Sequence, residues 1–238
     1  MNKESPQDLP IWWWLGLPIA MLLLTLYAYF TSADLMALIV RRDEHPAGGG
    51  IAETGTILIL IPAIAAGIVM LLSYRDRLPL WMVGWILGWV LACIYFAGEE
   101  ASWGQHYFRW GAPEILHNLN DQKETNLHNI GTWFDQKPRT LVELWIVFAG
   151  LVLPLVHRFR PQALWAKENW ARWFWPSAIG IPTVIAFLFS FAIALVAKKT
   201  GRVDLHYLGS NELREFYIAF FLSNYLLSLW YRLRQPTT

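Results

Sequence analysis

Charge is what this chain has least of. Lys, Arg, Asp and Glu make up 16% of its 238 residues, against about 25% in an ordinary soluble domain. The few charges cluster between long apolar runs. That pattern excludes a water-soluble globule and marks membrane spans. Cysteine is almost missing too. Cys93 stands alone inside an apolar run, so the sequence offers no disulfide and no thiolate metal site, and says nothing of redox compartment. There is no internal repeat, and low complexity is confined to Gly48, Gly49 and Gly50. The formal net charge is +1 with no basic stripe, which removes nucleic acid from the expected partners. Without a Ser-His-Asp pattern or a reactive thiol, covalent nucleophilic catalysis has little support.

What the chain does have is hydrophobic surface: 55% of its residues, with 15 Trp and 9 Tyr suited to bilayer interfaces. The runs predict an all-α, polytopic transmembrane bundle of about six spans, at 11–30, 56–74, 80–98, 141–156, 177–197 and 216–231. The whole chain, 1–238, reads as a single integral membrane domain with a polar helical insertion, 99–139, between spans three and four. The first run is about 20 residues, longer than the ~7–15 of a signal h-region, so it reads as an uncleaved anchor helix. The last is short and is expected to borrow residues 212–215. Pro18, Pro62, Pro154 and Pro182 fall within spans and predict kinks. Six spans put both termini on one side. When basic residues deep in the long loop are discounted, that side is the cytoplasm and 99–139 lies outside it. Between spans four and five, Leu164, Trp165, Trp170, Trp173, Phe174 and Trp175 interleave with Lys167, Glu168 and Arg172. This stretch, 161–175, reads as a helix lying in the interface, with a plain aromatic belt as the alternative.

Three stretches carry candidate chemistry. Glu99 and Glu100 follow directly on the third apolar run. If the helix continues, Glu99, Ser102 and His106 share one face, and Glu100, Trp103, Gly104 and Tyr107 the next. A carboxylate near hydrocarbon needs a partner, water or a cation. The alternative is that the span ends at Gly98 and both glutamates sit in water. In the second stretch, 113–129, Pro113 opens a helix on which His117, Asp121, Glu124 and His128 form one face. Imidazole and carboxylate in that pattern suit zinc, iron or manganese. Glu114 and His117 also make the Glu-x-x-His spacing of di-iron bundles. A solvated polar face is the bland reading. The third stretch is Asn211-Glu212-Leu213-Arg214-Glu215 at the start of the last span. Arg214 and Glu215 there read as an exposed pair, while Asn224 in mid-span is expected to bond between helices.

The strings Gly-Glu-Glu-Ala-Ser-Trp-Gly-Gln (98–105) and Glu-Thr-Asn-Leu-His-Asn (124–129) resemble those of a group of uncharacterised bacterial multi-pass membrane proteins. The resemblance implies a bacterial inner membrane and brings no activity. Ser102-Trp103-Gly104-Gln105-His106 is similar to the Ser-x-x-x-His element of the alkaline ceramidase-like hydrolases, which hold zinc with three His, but their C-terminal His-x-x-x-His is missing here. Glu99-Glu100 with the later His128 is similar to the pattern of the CAAX-type intramembrane proteases. Their Arg after the Glu pair and their final His-x-x-x-Asn are missing.

The inventory reads as a membrane-embedded enzyme, a metal-assisted hydrolase of a lipid or lipid-linked substrate. Its site would lie at the membrane boundary, between the end of span three, the 113–130 helix and the start of span six. The expected catalytic residues are Glu99, Glu100, Ser102, Gln105, Glu124 and His128, with Glu215 nearby. The expected ligands of a divalent transition metal are His117, Asp121, Glu124 and His128. The lipid bilayer is the expected partner. The alternative is a non-enzymatic membrane protein, either an accessory subunit or a small transporter.

Overall fold

The computed structural model describes residues 8–40, 50–108, 110–111, 125, 132–159, 174–202 and 205–235, by backbone alone at 106 and 132–138. Every regular element among them is helical. Five helices are long and apolar enough to cross a bilayer: α1 (Trp12–Thr31), α2 (Ile51–Ser73), α3 (Leu80–Glu100), the Arg139–Phe159 part of α4 (132–159), and α5 (Ala178–Thr200). Only 22–39% of each apolar window is buried inside the protein. The rest points outward, with Leu23, Phe30, Leu58, Leu72, Leu80 and Leu144 exposed. In water such a surface would aggregate, whereas in lipid it is solvated. The chain is an integral membrane protein.

The sixth long helix, α6 (Asn211–Leu233), is built on the opposite logic. Its 23 residues span about 34 Å, enough to cross the hydrocarbon. Fifteen of those residues are buried. It packs along α2 most extensively and also touches α3, α4 and α5, and Phe220 stacks on Trp13 of α1 at 5.8 Å. Because protein rather than lipid surrounds it, α6 can be polar. The Ser223 hydroxyl donates to the Ile59 carbonyl at 2.9 Å, and the Asn224 amide donates to Thr183 Oγ1 at 3.4 Å. Trp85 of α3 donates its indole N–H to the Tyr225 hydroxyl at 2.8 Å. The helix starts at Asn211, capped by Ser210, whose hydroxyl accepts from the Leu213 N–H at 3.3 Å. The charged residues before Phe216 are therefore inside the helix.

Close helix approach replaces hydrophobic drive as the source of packing inside a bilayer. A Cβ on Gly67 of α2 would stand 2.2 Å from Val90 of α3, and one on Gly150 of α4 would stand 2.4 Å from Val184 and 2.5 Å from Phe221. The hydrogen-bond pattern of α4 changes in mid-helix for a local reason. Pro154 cannot donate to the Gly150 carbonyl, and the helix takes a π-helical turn at Phe148–Val152 there. Pro18 likewise follows a π-helical turn, Trp12–Gly16, and Pro182 follows the opening turn of α5 at Ala178–Gly180. Of the 161–175 stretch only Phe174 and Trp175 lie within the described residues. Phe174 packs edge-on against Trp81 at 5.1 Å, which ties it to α3.

Candidate functional site

The third span ends in a reversal, not in a continued helix. α3 stops at Glu100, and Ser102, Trp103 and Gly104 follow with φ of 44°, 53° and 94°. Left-handed backbone costs about 1–2 kcal/mol per non-glycine residue, so other contacts must hold it. The turn lays the Trp103 indole over Gly98, where a Cβ would meet the ring at 2.9 Å. Its Nε1–H donates to Glu99 Oε1 at 2.7 Å. The Tyr95 hydroxyl also bonds Glu99. The helical face expected for Glu99, Ser102 and His106 is therefore not formed. Glu99 is buried among aromatic donors, and Ser102 is fully buried.

Thr125 fastens this turn from the far side of the insertion. Its N–H donates to Gln105 Oε1 at 2.8 Å. Its hydroxyl lies 2.5 Å from the Ser102 carbonyl and 2.9 Å from Gln105 Oε1, and its one proton serves one of these acceptors at a time. The 98–105 string and the 124–129 string thus meet at Gln105, Ser102 and Thr125. Gln105 and Ser102 act there as acceptors that shape the chain. The remaining insertion candidates, His117, Asp121, Glu124 and His128, lie outside the described residues.

Glu100 points about 100° around the helix from Glu99 and meets a different set of groups. It interacts electrostatically with Glu53 of α2, with Glu212 and Glu215 of α6, and with Arg139 of α4. Arg139 Nη1 donates to Glu215 Oε1 at 2.8 Å and Arg139 Nε to Glu143 Oε1 at 3.1 Å. Arg214 Nη1 stands 3.9 Å from Glu143, and its guanidinium lies over the Phe191 ring at 5.7 Å. The Arg139, Glu143, Arg214 and Glu215 side chains are all mostly buried. Arg214 and Glu215 are thus not an exposed pair; each reaches to another helix.

Four helices therefore deliver five carboxylates (Glu53, Glu100, Glu143, Glu212 and Glu215) and two arginines (Arg139 and Arg214) to one end of the bundle. Carboxylates held together at the edge of hydrocarbon favour a proton or a cation between them. The chemistry on offer is proton transfer, activation of water, or binding of a cation. Among the described residues no three His, Cys, Asp or Glu side chains stand where they could hold a metal ion.

The structure brings Glu100 and Glu215 together and parts Glu99 from Glu100. Arg139 and Glu53 were not singled out from the sequence. The Arg139–Glu143 spacing of four was a readable helix pair. Nothing local signals that Arg139 bonds a residue 76 positions away. No protein-family model, no curated protein and no solved structure matches the chain.

Proposed function

We propose that this chain is a membrane-embedded enzyme, a hydrolase of a lipid or lipid-linked substrate in a bacterial inner membrane, with Glu100 as its general base. One observation carries the reading: Glu100 sits among carboxylates from α2 and α6 while Arg139 of α4 holds Glu215 at 2.8 Å. Carboxylates brought together from separate helices at the membrane edge are the kind of group that passes protons. The site also lies at the end of α3, level with the membrane boundary, where a lipid headgroup and water can both reach it. In this reading Glu100 takes a proton from water as the water oxygen bonds to the ester or phosphoester centre, the bond to the leaving oxygen breaks, and that oxygen takes the proton back from Glu100; Arg139 orients Glu215, and the Thr125–Gln105 contacts keep the turn after Glu100 in place. A transition metal on His117, Asp121, Glu124 and His128 would serve the same reaction by activating that water. Metal analysis of purified protein, wild type beside His128→Ala, tests that part.

The test of the main reading is product formation. Purified protein in vesicles of extracted bacterial lipid is followed by mass spectrometry. Glu100→Gln, which keeps shape and removes the base, is expected to slow product formation by about 10²–10⁴-fold. A wild type that alters no lipid, or a Glu100→Gln protein that matches it, sinks the reading. A transporter is the second reading. It draws on Ser223, Asn224 and Ser228, which are buried along α6 between its charged ends. Proton or cation flux into protein-containing vesicles, without any lipid product, would favour it.

A further inference from the structure

The other end of α6 holds a second polar site that the proposed reaction does not use. Arg232 lies there, 5% exposed, and lines a small pocket with Ser177, Gly180, Phe221, Asn224 and Ser228. Two of its three guanidinium nitrogens are engaged. Nε donates to the Ser228 carbonyl at 3.2 Å and Nη1 to the Trp175 carbonyl at 3.0 Å. The carboxylate beside it is Asp8, 3.9 Å from Nε, and Asp8 already accepts the Ser177 hydroxyl at 2.5 Å. Among the described residues, Arg232 Nη2 has no partner, and neither do Ser228 Oγ and Asn224 Oδ1. Asn224 and Ser228 are each 1% exposed, so bulk water does not satisfy these atoms.

The pocket has the chemistry of an anion site. Arg232 Nη2 and the Ser228 hydroxyl are donors into it, and the Tyr225 hydroxyl, which accepts from Trp85, keeps its own proton to give. Gly180 in the first turn of α5 lines the same pocket. The start of a long helix carries partial positive charge. Asn224 Oδ1 is an acceptor and suits a water or a ligand hydroxyl. The pocket offers about 10 Å³, room for about one water. A ligand therefore reaches in with one polar group and leaves its bulk outside.

Depth decides what the ligand is. Arg232 lies in the last turn of α6 and Gly180 in the first turn of α5, at the end of the hydrocarbon-spanning length, while Phe221 and Asn224 line the pocket deeper in. Arg234 lies over the Trp230 ring at 4.6 Å beside it, an interfacial pairing. Lipid phosphates sit at that level. We propose that Arg232, Ser228 and the start of α5 form a binding site for a phosphate oxyanion, one oxygen of which enters the pocket.

The test uses the full-length protein, delipidated in detergent and examined by native mass spectrometry. The probes are phosphatidylglycerol, diacylglycerol of the same chains, and inorganic phosphate as competitor. Wild type is expected to retain one phosphatidylglycerol about tenfold or more over diacylglycerol, the size of one charge-assisted hydrogen bond. Ser228→Ala, a mild change in a buried site, should weaken that preference several-fold, and Arg232→Gln should abolish it. Glu100→Gln should leave it unchanged, which separates this site from the proposed reaction. Displacement by millimolar inorganic phosphate would support the oxyanion chemistry and name free phosphate as the source. Retention against phosphate names the lipid. Equal retention of phosphatidylglycerol and diacylglycerol by wild type overturns the proposal. So does an unchanged preference in folded Ser228→Ala and Arg232→Gln proteins.

Discussion

The two ends of α6 solve the same problem differently. Both carry charge at the edge of a bilayer, about 26 Å apart along the helix from Glu215 to Arg232. At the Glu215 end the charges are many, come from four helices, and bond one another directly at 2.8–3.1 Å. At the Arg232 end one arginine is held mainly by backbone carbonyls, with its carboxylate at 3.9 Å. The first arrangement is a network whose members depend on each other. The second is a cation whose field is only partly used. The difference teaches that a central helix shielded from lipid can hold charge at both membrane faces, and that the two faces need not do the same work.

The largest effect should come from breaking the network. Arg139→Leu removes the ion-pair partner of Glu215 at 2.8 Å and of Glu143 at 3.1 Å, leaving Glu143 only Arg214 at 3.9 Å and Glu215 beside Glu100. A loss of about 3 kcal/mol is expected, near the lower edge for a buried pair broken on one side. Unfolding in a mixed-micelle denaturant titration reads it. The same titration on Arg232→Met should give a smaller loss, because Asp8 keeps its Ser177 bond. Equal losses would mean that the two ends are electrostatically alike.

Next in size is the packing that centres α6. Gly150→Ala places a methyl 2.4–2.5 Å from Val184 and Phe221, and overpacking of this kind costs about 1–3 kcal/mol. A wild-type melting point for Gly150→Ala would show that α4 and α5 are free to spread from α6.

The smallest effect tests the tie between the insertion and α3. Thr125→Val keeps the N–H bond to Gln105 and loses the hydroxyl bond, about 1 kcal/mol. Its signature is local: faster limited proteolysis near residue 125 with little change in global unfolding. Unchanged cleavage would mean that the hydroxyl does not anchor the segment.

Much of the fold was legible because membrane spans are compositional. A run such as 80–98 must be helical in lipid, since no other single-strand geometry satisfies its own backbone groups. The last apolar run was short, and the expected borrowing of residues 212–215 is what the structure shows; what the sequence did not show is where those charges point. In the structure they are part of the helix and turned towards other helices. The turn after Glu100 was likewise hidden. Nothing in Ser102-Trp103 announces a left-handed conformation, which persists because Thr125, Gln105 and the Trp103–Glu99 bond hold it. The paired carboxylates themselves stood out, because two acids on the end of an apolar run are conspicuous wherever they face.

By itself, then, the sequence determined that the chain is helical, that it lies in a membrane, and that Glu99 and Glu100 sit at the end of a span. Hydropathy and local spacing are properties of neighbours along the chain, and they suffice for those conclusions. Only the tertiary structure decided that Glu100 faces Glu215 while Glu99 faces Trp103, that Arg139 joins α4 to α6, and that Arg232 closes a pocket at the opposite face. Each of those depends on which helices pack side by side, and that choice is made by shape, by glycines at crossings and by partners tens of residues away.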